Sequence, residues 1–341
     1  MITLILVLRA VAIVFLQVKL APTAIEHLVC EHKFDMKLAE PGEKITCHST
    51  LINAWRFPVL YINFVEHMPE SARIIDSRNN VDKHRLYLLP KQKYSHDIVF
   101  TLPQRGVYKK GKYYLEAGDF LGFSSKVESR EISCDIVVMP EKNEDENVIE
   151  ALGGFLGDHS VRRFIIEDPV LTVGYRDYTG KEPMKDISWN ASARANKLLV
   201  KRNDYTVDNN VAVILNMKTG VNREMEECLK TVRTVCEKLE EERIPYRFIS
   251  NGDVGELSEG LGSLHFNHLM MKLGKSSLFS YHSLDKTIEK CLKDRKNNRG
   301  YIIITPEMDE SERQMVDKLQ NISDHPLCVL TMGKENSNVN N

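Results

Sequence analysis

The chain changes its hydrophobic rhythm part of the way along. From about residue 28 to 140, apolar and polar residues alternate in short runs broken by turn residues, the period-two mark of half-buried strands. "FDMKLAEPGEKITCHSTLIN" predicts two strands joined at Pro41-Gly42. "FPVLYINFVEHMP", "HRLYLLP", "HDIVFTLP", "GVYKKGKYYLEAGD" and "EISCDIVVMP" continue the series, with Gly106 and Gly111 bracketing another turn. Short strands at this spacing predict a β-sandwich over 28–140. After residue 208 the texture differs. "NVAVIL" (210–215) is an unbroken apolar run, as expected of a strand buried on both faces. Met225, Leu229, Val232, Cys236 and Leu239 then recur at helical spacing. "IPYRFIS", "GYIIIT" and "LCVLTM" predict more buried strands, and "LHFNHLMMKLG", "SLDKTIEKCLKDR" and "SERQMVDKLQ" predict helices, with Ser283 as an N-cap. Alternating strand and helix predict a doubly wound α/β domain with a mainly parallel sheet over 208–332.

Three segments fall outside these patterns. Residues 1–22, "MITLILVLRAVAIVFLQVKLAP", are apolar except for Thr3, Arg9, Gln17 and Lys19. That length just reaches the ~20 apolar residues a membrane span needs. No basic stretch precedes it and no small-residue cleavage site follows, so an uncleaved single-pass anchor is expected at the cell membrane. Lys19 at the distal end puts the bulk of the chain in the cytoplasm. Residues 141–207 form a connecting segment, opened by the acidic run "EKNEDENVIE" and irregular thereafter. The polar tail 333–341 is expected to be disordered. The fold class is therefore multidomain α+β: an N-terminal membrane helix, a β-sandwich, then the α/β domain.

Composition narrows the function classes. Hydrophobic residues make up 42% and charged residues 28% of 341, which suits packed domains. With 46 basic and 48 acidic residues the net charge is −2, giving no electrostatic reason for a nucleic-acid partner. Cys30, Cys47, Cys134, Cys228, Cys236, Cys291 and Cys328 are widely spaced, with no C-x-x-C pair for zinc or redox chemistry. Reduced, buried thiols are expected.

In α/β sheets ligands sit beyond the carboxyl ends of the strands. The first such end, "ILNMKTG", is not followed by a glycine-rich phosphate loop. Nor does it carry the D-x-S-x-S ligands of von Willebrand factor A domains. Asn216 takes the aspartate position, Lys218 and Gly220 take the hydroxyl positions, and Thr219 is out of phase. A hard cation needs oxygen ligands there, so the metal-site position reads as degenerate. His265 and His268 lie a helical turn apart with no third ligand nearby and read as a packing or solvent-facing pair. There is no G-x-S-x-G elbow. Neither cofactor nor small-molecule substrate is indicated, and the chain reads as a non-enzyme.

The most charged motif is "GYRDYTGKEPMKDISWNASAR" (174–194). With the preceding Glu-Asp-Pro it runs Arg-Asp-Tyr, glycine, then Ile-x-Trp-x-x-Ser-Ala-Arg. Together with "QRGVYKKGKYYLEAGDFLGF" and the order of elements, it resembles the bacterial and archaeal domain of unknown function 58 family. Departures are Lys181-Glu182 after Gly180, where the family commonly has Gly-Asp, Asn190 in place of a common lysine, and one apolar N-terminal segment instead of two. The resemblance implies a von Willebrand factor A-like C-terminal domain. It also implies a role as a membrane-anchored, non-enzymatic adaptor for a MoxR-type AAA+ ATPase that assembles or activates other proteins.

The motif residues are Asp168, Arg176, Asp177, Tyr178, Gly180, Trp189, Ser192 and Arg194. Read physically, they form a polar lock: Arg176 and Arg194 paired with Asp177 or Asp168, Gly180 turning the chain, and Trp189 as an apolar anchor. A second reading is a docking surface, because Arg and Trp dominate interface hot spots. A third is a cell-envelope hydrolase using carboxylates of the 168–186 segment, Asp168, Asp177 and Asp186, which requires them to converge in a pocket.

Overall fold

The structure is a computed structural model. It describes residues 8–9, 11, 15, 23–69, 71–75, 80–119, 123–163, 172–180, 183–203, 210–293, 299–322 and 326–332. The chain divides into two compact units, residues 1–141 and 142–341.

The first unit is built from strands β1 (Leu28–Phe34), β2 (Leu38–Ala39), β3 (Lys44–Asn53), β4 (Val59–His67), β5 (Arg73–Ile74), β6 (Asp82–Leu88), β7 (Lys93–Thr101), β8 (Gly106–Gly118) and β9 (Ser125–Val138). One sheet has the order β1-β3-β7-β5, the other β2-β9-β8-β4-β6. Alternation puts every second side chain between the sheets. Along β3, Ile45, Cys47, Ser49, Leu51 and Asn53 are buried while their neighbours face outward or stay half-exposed. Ile62, Phe64 and Leu115 of the second sheet join Ile45, Leu51 and Phe100 of the first in one core. Each such apolar side chain contributes about 1.5–3 kcal/mol of burial.

The second unit begins with α1 (Glu146–Arg163), then β10 (Thr172–Asp177), α2 (Trp189–Ala195) and β11 (Leu199–Asn203). There follow β12 (Asn210–Leu215), α3 (Asn222–Glu241), β13 (Tyr246–Ser250), β14 (Glu256–Gly260), α4 (Ser263–Lys275), α5 (Leu284–Lys293), β15 (Arg299–Thr305), α6 (Glu310–Ile322) and β16 (Leu327–Thr331). The five-stranded sheet runs β14-β13-β12-β15-β16. Its β13, β12, β15 and β16 are parallel and β14 pairs antiparallel at the edge. Every residue of β12 is buried, because helices supply apolar side chains to the sheet: Ile288 of α5 and Leu319 of α6 pack with Ala212, Ile214 and Ile303. The hairpin of β10 and β11 forms a separate two-stranded sheet.

The expected fold class is corrected in two respects. No helix among the described residues is long and apolar enough to cross a membrane, so the transmembrane anchor is not carried forward; most of 1–22, like the tail 333–341, lies outside the described residues. The von Willebrand factor A-like label is withdrawn too. Among the described residues, sheet predominates and strands outnumber helices. The β12 strand end is closed by an amide and an ammonium, where that domain type places oxygen ligands. Apolar runs and helical spacing specify layers, and layers are shared by unrelated families.

Candidate functional site

At the β12 end, Asn216 is buried and donates from Nδ2 to Thr305 Oγ1 and Glu312 Oε1, each at 3.0 Å. Asn251 donates to Asn216 Oδ1 at 3.0 Å and accepts from the Met217 backbone N–H at 2.6 Å. Lys218 Nζ lies 2.8 Å from Glu312 Oε2 and 3.2 Å from Asp309 Oδ2. Burial disfavours the Lys218 charge, but Glu312 and Asp309 outweigh it and raise the pKa. The ammonium is thus the cation of this strand end. Gly220 follows at φ +97°, a conformation that favours glycine.

The 174–194 motif is held by backbone and by Ser192. Arg176 and Asp177 of β10 pair with Val200 and Leu199 of β11. Tyr178 N–H donates to Leu198 O at 2.9 Å, and Gly180 turns at φ +87°. Buried Ser192 accepts from Leu199 N–H at 2.8 Å. Asp177 pairs with Lys197 at 2.7 Å on the surface, Arg194 is exposed, and Asp168 lies outside the described residues. Trp189, expected as an anchor, is 59% exposed at the start of α2, and Tyr175, Met184 and Leu198 are exposed as well. Asp177 pairs with Lys197, and Asp186 sits in a short 3-10 turn at Met184–Asp186. His265 stacks edge-on against Tyr246, ring centroids 4.7 Å apart, and burial lowers its pKa.

A second cluster, which sequence reading did not connect, lies inside the β-sandwich. Strand register places His32, Ser49 and His96 in one row across the first sheet. It places Asp82, Glu66 and Tyr113 in one row across the second. The two rows face each other. Glu66 is fully buried; its Oε1 lies 2.8 Å from His32 Nε2 and accepts from Ser49 Oγ at 2.7 Å. Its Oε2 lies 2.7 Å from His96 Nε2, which is also 3.2 Å from Asp82 Oδ2. Asp82 Oδ2 lies 2.9 Å from His84 Nε2, and Tyr94 Oη lies 3.0 Å from His84 Nδ1. Cys30 Sγ sits 3.6 Å from His32 Nε2.

Electrostatics match that geometry. Burial pushes the Glu66 carboxyl up, but the adjacent His32, His96 and Ser49 side chains outweigh it and hold the pKa at about 2. Glu66 is therefore an anion inside the sandwich at neutral pH. Burial, with Glu66 adding to it, raises the Cys30 thiol to about 12, so it stays protonated. The signal available in the sequence was parity: Cys30, His32, Ser49, Glu66, Asp82, His84 and His96 all occupy the inward positions of alternating strands, where apolar residues are the rule.

No protein-family model matches the chain, and no curated protein matches it. Among solved structures, it is similar to the GAE domain of GGA2p from Saccharomyces cerevisiae, with 14% identity, 33% of this chain and 92% of that one covered, and a TM-score of 0.26. It is similar also to native alpha-2-macroglobulin from Escherichia coli, from domain MG7 to the C-terminus, with 14% identity, 34% and 17% coverage, and a TM-score of 0.27. A third is the CARDB domain of the PF1109 protein in complex with di-metal ions from Pyrococcus furiosus, with 11% identity, 33% and 86% coverage, and a TM-score of 0.23.

Proposed function

We propose that the protein is a non-enzymatic interaction module that docks a partner through the 174–198 segment. One observation carries this reading: Trp189 stands 59% exposed on a short helix, with Tyr175, Met184 and Leu198 exposed on the same segment. Exposed aromatic and apolar side chains concentrated in one segment are candidates for an association surface, and Trp is among the residue types most enriched at binding hot spots. The local frame is fixed by the β10–β11 ladder and the Ser192 bonds, which lowers the ordering cost of binding. The partner taken by this reading is an AAA+ ATPase of the MoxR type, on the strength of the motif resemblance alone.

Capture of the tagged full-length protein from an extract of its own host, with ATP and Mg²⁺ present, tests the assignment. Wild type is expected to enrich an AAA+ ATPase, and Trp189→Ala, with an unchanged circular dichroism spectrum, to lose at least roughly tenfold of it, as hot-spot truncation costs about 2 kcal/mol or more. The reading falls if wild type enriches no such ATPase, or if Trp189→Ala retains it undiminished.

A further inference from the structure

The sandwich interior holds an arrangement that packing alone does not require. Two carboxylates, Glu66 and Asp82, and three imidazoles, His32, His84 and His96, meet where neighbouring inward positions carry Ile, Leu and Phe. His32 keeps only 6% of its side-chain exposure and His96 only 10%. His96 Nε2 and Glu66 Oε2 lie 2.7 Å apart, yet they are out of line for a hydrogen bond, and His96 Nδ1 has no partner either. A buried polar atom left in that state is normally compensated by something else.

We propose that this cluster is a binding site for a divalent first-row transition-metal ion, held by Asp82, His84 and His96, whose ligand atoms all lie within 4.8 Å of one another, with the Glu66 carboxylate behind His96. The donor set decides the class of ion. Imidazole with carboxylate suits Zn²⁺ and its neighbours, whereas Ca²⁺ and Mg²⁺ prefer oxygen alone. Charge agrees, because a dication neutralises two carboxylates whose contacts are otherwise imidazoles and the Ser49 hydroxyl. Distance agrees within a small adjustment. Metal bonds of about 2.0–2.1 Å in a tetrahedron put ligand atoms about 3.3 Å apart. The present separations of 2.9 and 3.2 Å, from Asp82 Oδ2 to His84 Nε2 and to His96 Nε2, open by at most a few tenths of an ångström to admit the ion. Asp82 and His84 are half-exposed, so the cluster grades from a closed end at Glu66 to an open one, an approach route for the ion. Ser49, bonded to Glu66 Oε1, orients that carboxylate from behind. The Cys30 thiol stands beside the set and outside it.

The site is independent of the docking reading, and its test uses the full chain stripped with chelator. Calorimetric titration with Zn²⁺ is expected to show saturable, stoichiometric binding and a rise in the unfolding temperature of the wild type. Glu66→Gln and His96→Ala are each expected to weaken binding at least roughly tenfold to a hundredfold. His48→Ala, which removes the exposed His48–Asp97 pair, is expected to leave it unchanged. If either core variant fails to fold, Co²⁺ added to wild type decides: tetrahedral nitrogen–oxygen d–d bands support the site, while an octahedral aqua-like spectrum overturns it. A dominant thiolate-to-cobalt charge-transfer band would overturn the proposed ligand set in favour of Cys30. Absence of stoichiometric Zn²⁺ binding by folded wild type, or equal binding by all variants, overturns the proposal.

Discussion

Replacing Glu66 by Gln isolates the contribution of a single buried charge. Gln keeps the shape and resembles the protonated carboxyl. In the folded chain Glu66 is held at about 2 against an ordinary 4.5, and that depression corresponds to about 3 kcal/mol of stability at neutral pH. A depressed carboxyl contributes fully above its unfolded pKa, and the contribution disappears as pH falls through the folded one. The window is therefore pH 4.5 down to 2. Wild type is expected to exceed Glu66→Gln by about 3 kcal/mol at pH 7, with the gap closing toward zero at pH 2. The remaining carboxylates are common to both proteins and cancel in the difference. The assay is urea unfolding across pH, with chelator present, in a Trp189→Phe background. Fluorescence then comes from Trp55, which stacks on His27 within the sandwich, so the first unit is followed separately from the second. A gap that stays constant within about 1 kcal/mol from pH 7 to 2 refutes the argument.

Two further outcomes follow from buried groups. Lys218→Ala strands the Glu312 carboxylate, which is nearly buried beside Asn216; it is expected to lower stability by about 1–3 kcal/mol, and adding Glu312→Gln to restore part of that loss in a double-mutant cycle. All seven cysteines are free, six of them buried, and burial raises the thiols of Cys30 and Cys134 to about 12. Thiol labelling of the native protein at pH 8 is expected to be slow until denaturant is added; a fast stoichiometric phase would contradict the buried placement.

Alternation and apolar runs were legible wherever burial alone decides conformation. "KITCHSTLIN" folds as β3 with its inward face on the residues the pattern marks, and "NVAVIL" is buried throughout. The helical spacing of Met225 to Leu239 appears as the buried stripe of α3. The buried cluster was not legible because its members are spread over five strands, from Cys30 to His96, and only strand register brings them together. No short motif carries it. Trp189 was misjudged for a related reason: a large apolar residue in sequence does not say whether the segment beside it has a surface to cover it. The Asp177 partner was likewise unreadable, since Lys197 reaches it through the hairpin and not through the motif spacing.

The facing rows of polar residues have a consequence for how the sandwich finds its alignment. A one-residue slip of β7 along β3 turns its apolar face outward and is penalised by burial. A two-residue slip is not, because Tyr94, His96, Ile98 and Phe100 share one face and the apolar pattern survives the shift. It would, however, set Ile98 or Tyr94 against Ser49 in place of His96, leaving the Glu66 charge without that imidazole. The row therefore works as an index mark, rejecting the misalignments that greasy alternation would tolerate, between strands that the chain must bring together across dozens of residues.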